Sequence, residues 1–339
     1  MNDHSFDELF ARYETQFQPL SSLASLGGGG GWSGAKLWRF RAPHGGLLLR
    51  AWPPHGLGRE HIERVHHWLT LTSELGFVPV PIRDRAGQSL QEWSGMLWEI
   101  TPWLVGAADS SRPPGVEHLR LAFTGLAAFH QCLAREQVEA VSTGLRHRHE
   151  EIIRLIRGGF HALEIAINRQ NEVGYPYSTL ALAWLALARN VAPVLLEPLG
   201  RQLNRVIRVQ PTLRDARPEH FLFEGERLSG LVDFGAMGVE SVAADLARLS
   251  GEWLDGDLAR RREALASYER VRPLDPAEAR LIDVFETTTA LLIGERWVRW
   301  HYVENRNFDD PQAVLKGLER GLMRLDRLVR VLSGSRASL

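Results

Sequence analysis

From Gly115 onward the chain is a succession of helical patterns, and one short stretch breaks them. Arg208-Val209-Gln210-Pro211-Thr212-Leu213-Arg214-Asp215 leads into the apolar run His220-Phe221-Leu222-Phe223. Glu224-Gly225-Glu226-Arg227 makes a turn, and residues 228–234 return as a second apolar run. Two apolar runs joined by a polar, Gly-containing turn form a β-hairpin. The region after Gly115 is therefore expected to be a helical lobe with a small hairpin embedded in it. Helical patterns cover residues 116–134, 147–170, 179–192 and 198–205, and most of the stretch from 276 to 332.

The first hundred residues have another character. Phe6, Leu9, Phe10, Tyr13 and Phe17 recur at helical spacing and predict a short docking helix within residues 1–19. Gly27, Gly28, Gly29, Gly30 and Gly31 are consecutive, a run that a regular element would hold only at a large entropic cost. Residues 20–26 are a strand candidate before this loop. After it, Lys36-Leu37-Trp38-Arg39-Phe40 alternates and residues 46–52 are an apolar run, with Pro43-His44-Gly45-Gly46 as the turn between them. Pro53-Pro54 stops the sheet. A helix is expected over 58–75, an extended segment at 78–81 and two further strands at 88–93 and 96–100. Residues 105–115 have the composition of a linker. The expected organisation is a sheet-containing lobe over 1–103 and a helical lobe over 104–339.

Composition narrows the function classes. With 40 Lys+Arg against 41 Asp+Glu the net charge is -1, so no basic excess is available for a phosphate backbone and no nucleic-acid partner is expected. No apolar run is expected to cross a bilayer, which takes about 20 residues. The acidic start, MNDHSFDELF, lacks a signal peptide's charged and apolar regions, and one cysteine, Cys132, forms no internal disulfide. A cytoplasmic protein without a membrane partner is expected. Lys36 and Lys316 are the only lysines, so a mechanism that needs a lysine has few places to find one.

Three features could carry chemistry. Gly28, Gly29, Gly30 and Gly31 lie between strands, where backbone N–H groups can approach phosphate oxygens, although composition alone allows a merely flexible loop equally well. Arg50 ends an apolar strand, and a guanidinium suits bidentate phosphate binding. The hairpin would bring Asp215, His220 and Asp233 to one mouth. Two carboxylates and an imidazole there could supply a base for a hydroxyl and ligands for a divalent metal. Any one Asp at a strand end is ordinarily a turn residue. The ordered set is what points to function. Other candidates have plainer readings. His66-His67 point in adjacent directions, His147 and His149 are not on one helix face, and Cys132 follows an apolar segment.

At this point the chain resembles the aminoglycoside phosphotransferase family of the protein-kinase-like superfamily. The family carries H-G-D-x-x-x-x-N before an apolar strand, then a turn and a strand ending in D-F-G, then D-L-A. Here the same order reads Leu213-Arg214-Asp215-Ala216-Arg217-Pro218-Glu219-His220, then Leu231-Val232-Asp233-Phe234-Gly235, then Asp245-Leu246-Ala247. Residues 98–106 are similar to the family's inter-lobe linker, and Gly125-Leu126-Ala127-Ala128-Phe129-His130 to its helix ending in leucine-alanine-x-phenylalanine-histidine.

The resemblance implies an α+β, bilobal, protein-kinase-like fold that uses ATP and Mg²⁺ (or Mn²⁺) to phosphorylate a hydroxyl of a small molecule. It implies that Asp215 orients or deprotonates the acceptor, that Asp233 and His220 hold the metal, and that Arg50 pairs with the phosphates. It also implies that Glu63, or Glu60, is the carboxylate partner of Arg50, and that residues from Glu99 to Trp103 present backbone groups to adenine. Glu286, Glu295, Trp297, Trp300 and Tyr302 would lie on a late helix of the acceptor side, or be the charged and aromatic positions of an ordinary amphipathic helix. Three positions depart from the family. Leu213-Arg214 replaces His-Gly, His220 replaces the metal Asn, and Arg50 replaces the phosphate lysine, for which Lys36, one strand earlier, is the other cation on offer although nothing in its spacing demands it. These departures set an active phosphotransferase against a nucleotide-binding pseudokinase acting as a regulatory or interaction module.

Overall fold

The computed structural model describes residues 6–27, 34–111, 113–170, 176–254, 256–306, 308 and 312–336. The chain forms two compact units. The first comprises residues 1–137, 210–239 and 262–273, and so holds both the N-terminal sheet and the hairpin. The second comprises 138–209, 240–261 and 274–339. The boundary expected after residue 103 falls inside the first unit.

In chain order the first unit opens with a short helix α1 (Asp7–Phe10), followed by β1 (Ala24–Ser25), β2 (Lys36–Ala42), β3 (Gly45–Trp52), helix α2 (Arg59–Leu71), β4 (Gln91–Trp93) and β5 (Met96–Pro102). The five strands make one antiparallel sheet in the order β1-β2-β3-β5-β4. β2 and β3 turn through Pro43-His44, with Ala42 opposite Gly45. Gly45 has φ +139, a backbone that suits glycine. Leu47, Leu49 and Ala51 alternate into the core, where Phe6, Phe10 and Tyr13 close over them together with Trp98. The expected docking helix is thus present as α1 and a 3-10 turn at Thr15–Phe17 rather than one continuous helix. β6 (Ala107–Ala108) then leads into α3 (Val116–Leu133), whose Leu126, Ala127 and Phe129 are fully buried.

The middle of the chain belongs mainly to the second unit: β7 (Val138–Val141), α4 (Thr143–Arg154), α5 (Phe160–Arg169), α6 (Tyr177–Gly200) and β8 (Val206–Thr212). Ser142 caps α4 by accepting from the Leu145 N–H. The single helix expected over 147–170 is broken where Gly158 takes φ +126, a break that the Gly158-Gly159 pair permits. α6 runs through Pro193 and Pro198, where the sequence pattern predicts an interruption. It is also long and apolar enough, by length and composition, to cross a membrane, contrary to the expectation from sequence. Its Trp184, Leu185, Ala188, Val191 and Leu195 are buried within the unit.

The hairpin strands follow as β9 (Phe221–Glu224) and β10 (Arg227–Leu231) in the first unit, where β9 also pairs with β6. β11 (Gly238–Glu240), α7 (Ala243–Trp253), α8 (Leu258–Glu269), α9 (Pro276–Tyr302) and α10 (Ala313–Arg336) complete the fold. α9 begins with a capping box: the Asp275 carboxylate accepts from the Ala277 and Glu278 N–H groups, and Glu278 accepts from the Asp275 N–H. In the second unit α6, α7 and α10 all pack on α9.

Candidate active site

The hairpin sets the geometry. Leu231 N–H donates to the Phe77 carbonyl at 2.7 Å and Val232 N–H to the His220 carbonyl at 3.0 Å, so the end of β10 is pinned beside the start of β9. β10 carries a bulge between Leu228 and Gly230. Ser229, in the bulge, donates to the Val105 carbonyl at 2.7 Å and ties the hairpin to residues after β5. Two non-glycine residues here have left-handed backbones, Arg214 at φ 62 and Asp233 at φ 65. Such conformations cost about 1–3 kcal/mol and cluster at functional sites. They lie just before Asp215 and at Asp233 itself.

Asp215, His220 and Asp233 are linked through one side chain that sequence reasoning missed. Arg217 Nε lies 3.1 Å from Asp215 Oδ2. Its Nη1 is 3.0 Å from Glu219 Oε1, and its Nη2 donates to His220 Nε2 at 3.2 Å. His220 Nε2 in turn is 3.4 Å from Asp233 Oδ2. The Asp233 side chain is 54% exposed and that of His220 only 5%. Burial pushes the His220 pKa down, with Asp233 opposing the shift. A signal for Arg217 was available: it is a cation within the loop, two residues from each of two acidic side chains.

The Asp-Phe-Gly segment docks on the N-terminal sheet and α2. Gly235 lies against the Trp52 ring and Leu57, each 3.6 Å from where a Cβ would stand, and His61 of α2 bonds the Gly235 carbonyl through Nε2 at 3.1 Å. Phe234 is buried beside Phe129, with ring centroids 6.0 Å apart. Arg50 stacks over the same Trp52 ring at 4.9 Å.

Arg50 has a different partner from the expected one. It stands directly opposite Glu99 in the β3–β5 ladder, and its Nη1 is 3.1 Å from Glu99 Oε1. His66 of α2 holds the other oxygen, Nε2 to Oε2 at 2.6 Å, and its Nδ1 is 2.9 Å from Ser89 Oγ. Glu63 pairs with Arg59 at 3.1 Å, and Glu60 with Arg64 at 2.8 Å. Both glutamates are thus on the outer part of α2, and the helix contributes a histidine instead. Burial drives the Glu99 pKa up, but Arg50 and His66 more than offset it and bring the carboxyl down to about 2. His66 was discoverable: it lies four residues after Ile62 on the apolar face of α2, where a polar group requires a partner. Lys36 is no substitute for Arg50. It pairs with Ala51 and so lies on the other face of the sheet, because successive strand residues alternate.

Two of the residues expected on the adenine side have partners within the fold. Glu99 lies within β5 and its side chain is committed to Arg50 and His66. The Trp103 N–H donates to the Gly46 carbonyl at 2.9 Å, and its ring carries Arg39 at 4.5 Å, so its N–H is engaged. The glycines expected to cradle phosphate, Gly28, Gly29, Gly30 and Gly31, lie outside the described residues. Asp245 of the Asp-Leu-Ala sequence is fully buried on α7 in the second unit. There too, Glu295 is buried between Arg154 at 3.1 Å and Arg299 at 3.0 Å, and Glu286 pairs with Arg261 at 2.9 Å. These glutamates of α9 thus have internal partners.

The family model for the phosphotransferase enzyme family, APH, matches residues 27–282. The chain belongs to that family. Among curated proteins it is similar to homoserine kinase of Methylobacterium sp. (strain 4-46), 28% identical over 231 residues, or 66% of this chain and 64% of that protein. Homoserine kinase of Methylobacterium radiotolerans is 30% identical over 234 residues, with the same two coverages of 66% and 64%. The matched stretch thus spans less than two thirds of these relatives' length. Among solved structures, the aminoglycoside phosphotransferase of Alicyclobacillus acidocaldarius superposes with a TM-score of 0.65 at 14% identity, covering 97% of this chain and 94% of that one. A microcompartment-associated aminopropanol kinase gives 0.62 at 16% identity, with 98% of each chain covered. At such identities the structural matches speak for the fold, which is the kinase-like fold of this family.

Proposed function

We propose that this APH-family chain transfers the γ-phosphoryl group of ATP to a hydroxyl of a small molecule. The observation that carries the reading is the continuous polar chain Asp215–Arg217–His220–Asp233, set beside the Asp-Phe-Gly segment that packs on the Arg50-bearing Trp52 ring. Asp215 is the group that orients the acceptor hydroxyl and takes its proton. Arg50, held in direction by Glu99, is the cation for the phosphates.

Asp233 and His220 are the residues that would hold a divalent metal. They supply two donors, a half-exposed carboxylate oxygen and an imidazole nitrogen 3.4 Å apart, and among the described residues no third His, Cys, Asp or Glu completes the set, so phosphate oxygens would have to. A nitrogen donor favours Mn²⁺ over Mg²⁺. When bound, such a metal neutralises phosphate charge and fixes its orientation. The matched relatives and structures act, by name, on homoserine, aminopropanol and aminoglycosides, which makes hydroxyl-bearing amino acids and amino alcohols the first acceptor class to assay.

A second reading, a nucleotide-binding pseudokinase acting as a regulatory module, is favoured by the Arg217 guanidinium standing against Asp215. Calorimetric titration with ATP, with and without Mg²⁺ or Mn²⁺, followed by phosphate transfer to homoserine and aminopropanol, separates the two. Metal-dependent binding that Asp233→Ala abolishes, with transfer to at least one hydroxyl acceptor, supports the enzyme. Binding without turnover supports the pseudokinase, and no nucleotide binding under any metal defeats both.

A further inference from the structure

The Arg217–His220 hydrogen bond fixes where the imidazole proton is. A guanidinium has N–H donors and no acceptor, so His220 Nε2 receives the bond and carries the ring's lone pair, while the proton sits on Nδ1. Nδ1 is buried and has no hydrogen-bond partner among the described residues. In that tautomer the ring offers one lone pair in its plane, on Nε2, and Asp233 Oδ2 lies 3.4 Å from that same nitrogen. Two acceptors at 3.4 Å repel unless a positive charge stands beside them. Arg217 is that charge in this structure. A divalent ion shared by His220 and Asp233 needs the same lone pair, and the two cannot hold it together.

We propose that Arg217 is a positioning residue whose contact with His220 is exchanged for the metal. This rests on the reading of His220 and Asp233 as metal ligands. Before loading, Nη2 occupies the His220 lone pair and keeps the ring in the tautomer that a metal requires. On loading, Nη2 leaves His220 while the guanidinium remains the ion-pair partner of Asp215. The released N–H donors then face the mouth of the hairpin, where a guanidinium suits an anionic phosphoryl oxygen. Metal loading and the arming of a cation for the transferred group thus become one event.

The test is metal affinity, which a purely structural role for Arg217 would not raise. Mn²⁺ is titrated into the full chain and free aquo-ion is followed by electron paramagnetic resonance. The proteins are wild type, Arg217→Met, Arg217→Lys, His220→Ala and the Arg217→Met/His220→Ala double variant, each checked for an unchanged melting temperature. The expected result is Mn²⁺ binding at least about threefold tighter in Arg217→Met, weaker in His220→Ala, and no gain from Arg217→Met in the His220→Ala background. Arg217→Lys, a shorter cation without the planar fork, falls between and covers the case in which Arg217→Met does not fold. A gain that persists without His220 means simple charge repulsion and overturns the exchange. Unchanged or weaker binding in Arg217→Met, with His220→Ala still lowering affinity, overturns the exchange and leaves the metal site standing. Mn²⁺ binding that none of the substitutions alters overturns both.

Discussion

Arg50 and Glu99 face each other across adjacent antiparallel strands and close a 3.1 Å ion pair whose carboxylate is 4% exposed. A buried carboxylate is tolerated only when it is paired and hydrogen-bonded. Arg50→Met would take the guanidinium from buried Glu99 and should destabilise the protein by about 3 kcal/mol. The Arg50→Met/Glu99→Gln double variant should recover much of that loss, because the uncompensated charge goes with it. Urea melts of the three proteins measure this. Equal stability of wild type and Arg50→Met would show that the pair is energetically idle. If Arg50 is the cation for the phosphates, Arg50→Lys should keep the fold but weaken ATP binding, since one ammonium cannot serve the carboxylate and the phosphates with a planar fork.

The same carboxylate sets an acid limit. Its folded-state pKa is depressed from 4.5 to about 2, so the folded state holds fewer protons than the unfolded one between those values. The stabilisation is complete above pH 4.5 and is lost as pH falls toward 2. It is worth on the order of 3 kcal/mol. Melting temperature against pH should therefore fall through this window in wild type and fall less in Glu99→Gln. Parallel curves for the two proteins would assign acid sensitivity to other carboxylates.

If Asp215 takes the acceptor's proton, Asp215→Asn should lower turnover by about 10²- to 10⁴-fold with ATP affinity little changed. Asp233→Asn should instead remove the metal-dependent part of ATP binding. Calorimetry and steady-state rates on both variants distinguish the roles. Equal loss of binding in both would mean that the hairpin mouth acts only as a scaffold.

How far such a site can be read from sequence differs from residue to residue. Asp215, His220 and Asp233 are legible because the hairpin is local: two apolar runs and a turn place its ends together without knowledge of the rest of the fold. Arg50 is legible as a strand end, but its partner is not. That partnership depends on the β3–β5 register, and α2 and β4 lie between those strands in sequence. Carrying a helix glutamate over from the family puts the carboxylate on α2, where the structure has His66. The kink between α4 and α5 follows from Gly158-Gly159, which helical periodicity alone overlooks. The passage of α6 through Pro193 and Pro198 is the opposite case, a local breaker overruled by burial of Val191, Ala192 and Leu195.

Glycines in the second unit give the last prediction. Gly321 of α10 lies against Gly294 of α9 so closely that a Cβ at 321 would stand 2.8 Å from the Gly294 Cα and 3.3 Å from its nitrogen. Those are backbone atoms, which cannot swing aside as a flexible side chain can. Gly294 is itself confined, since a Cβ there would run into the indole nitrogen of Trp184 on α6. Alanine favours a helix over glycine by about 1 kcal/mol, so propensity alone predicts that Gly321→Ala stabilises the protein. Overpacking in a filled helix crossing costs about 1–3 kcal/mol and acts against it, because one helix must move off the other. The packing term should win, and Gly321→Ala should lower the urea midpoint. Gly200→Ala, at the end of α6 where an added Cβ meets nothing within 4 Å, is the control and should leave the midpoint unchanged or raise it. If both substitutions raise it, the α9–α10 contact is looser than these distances require.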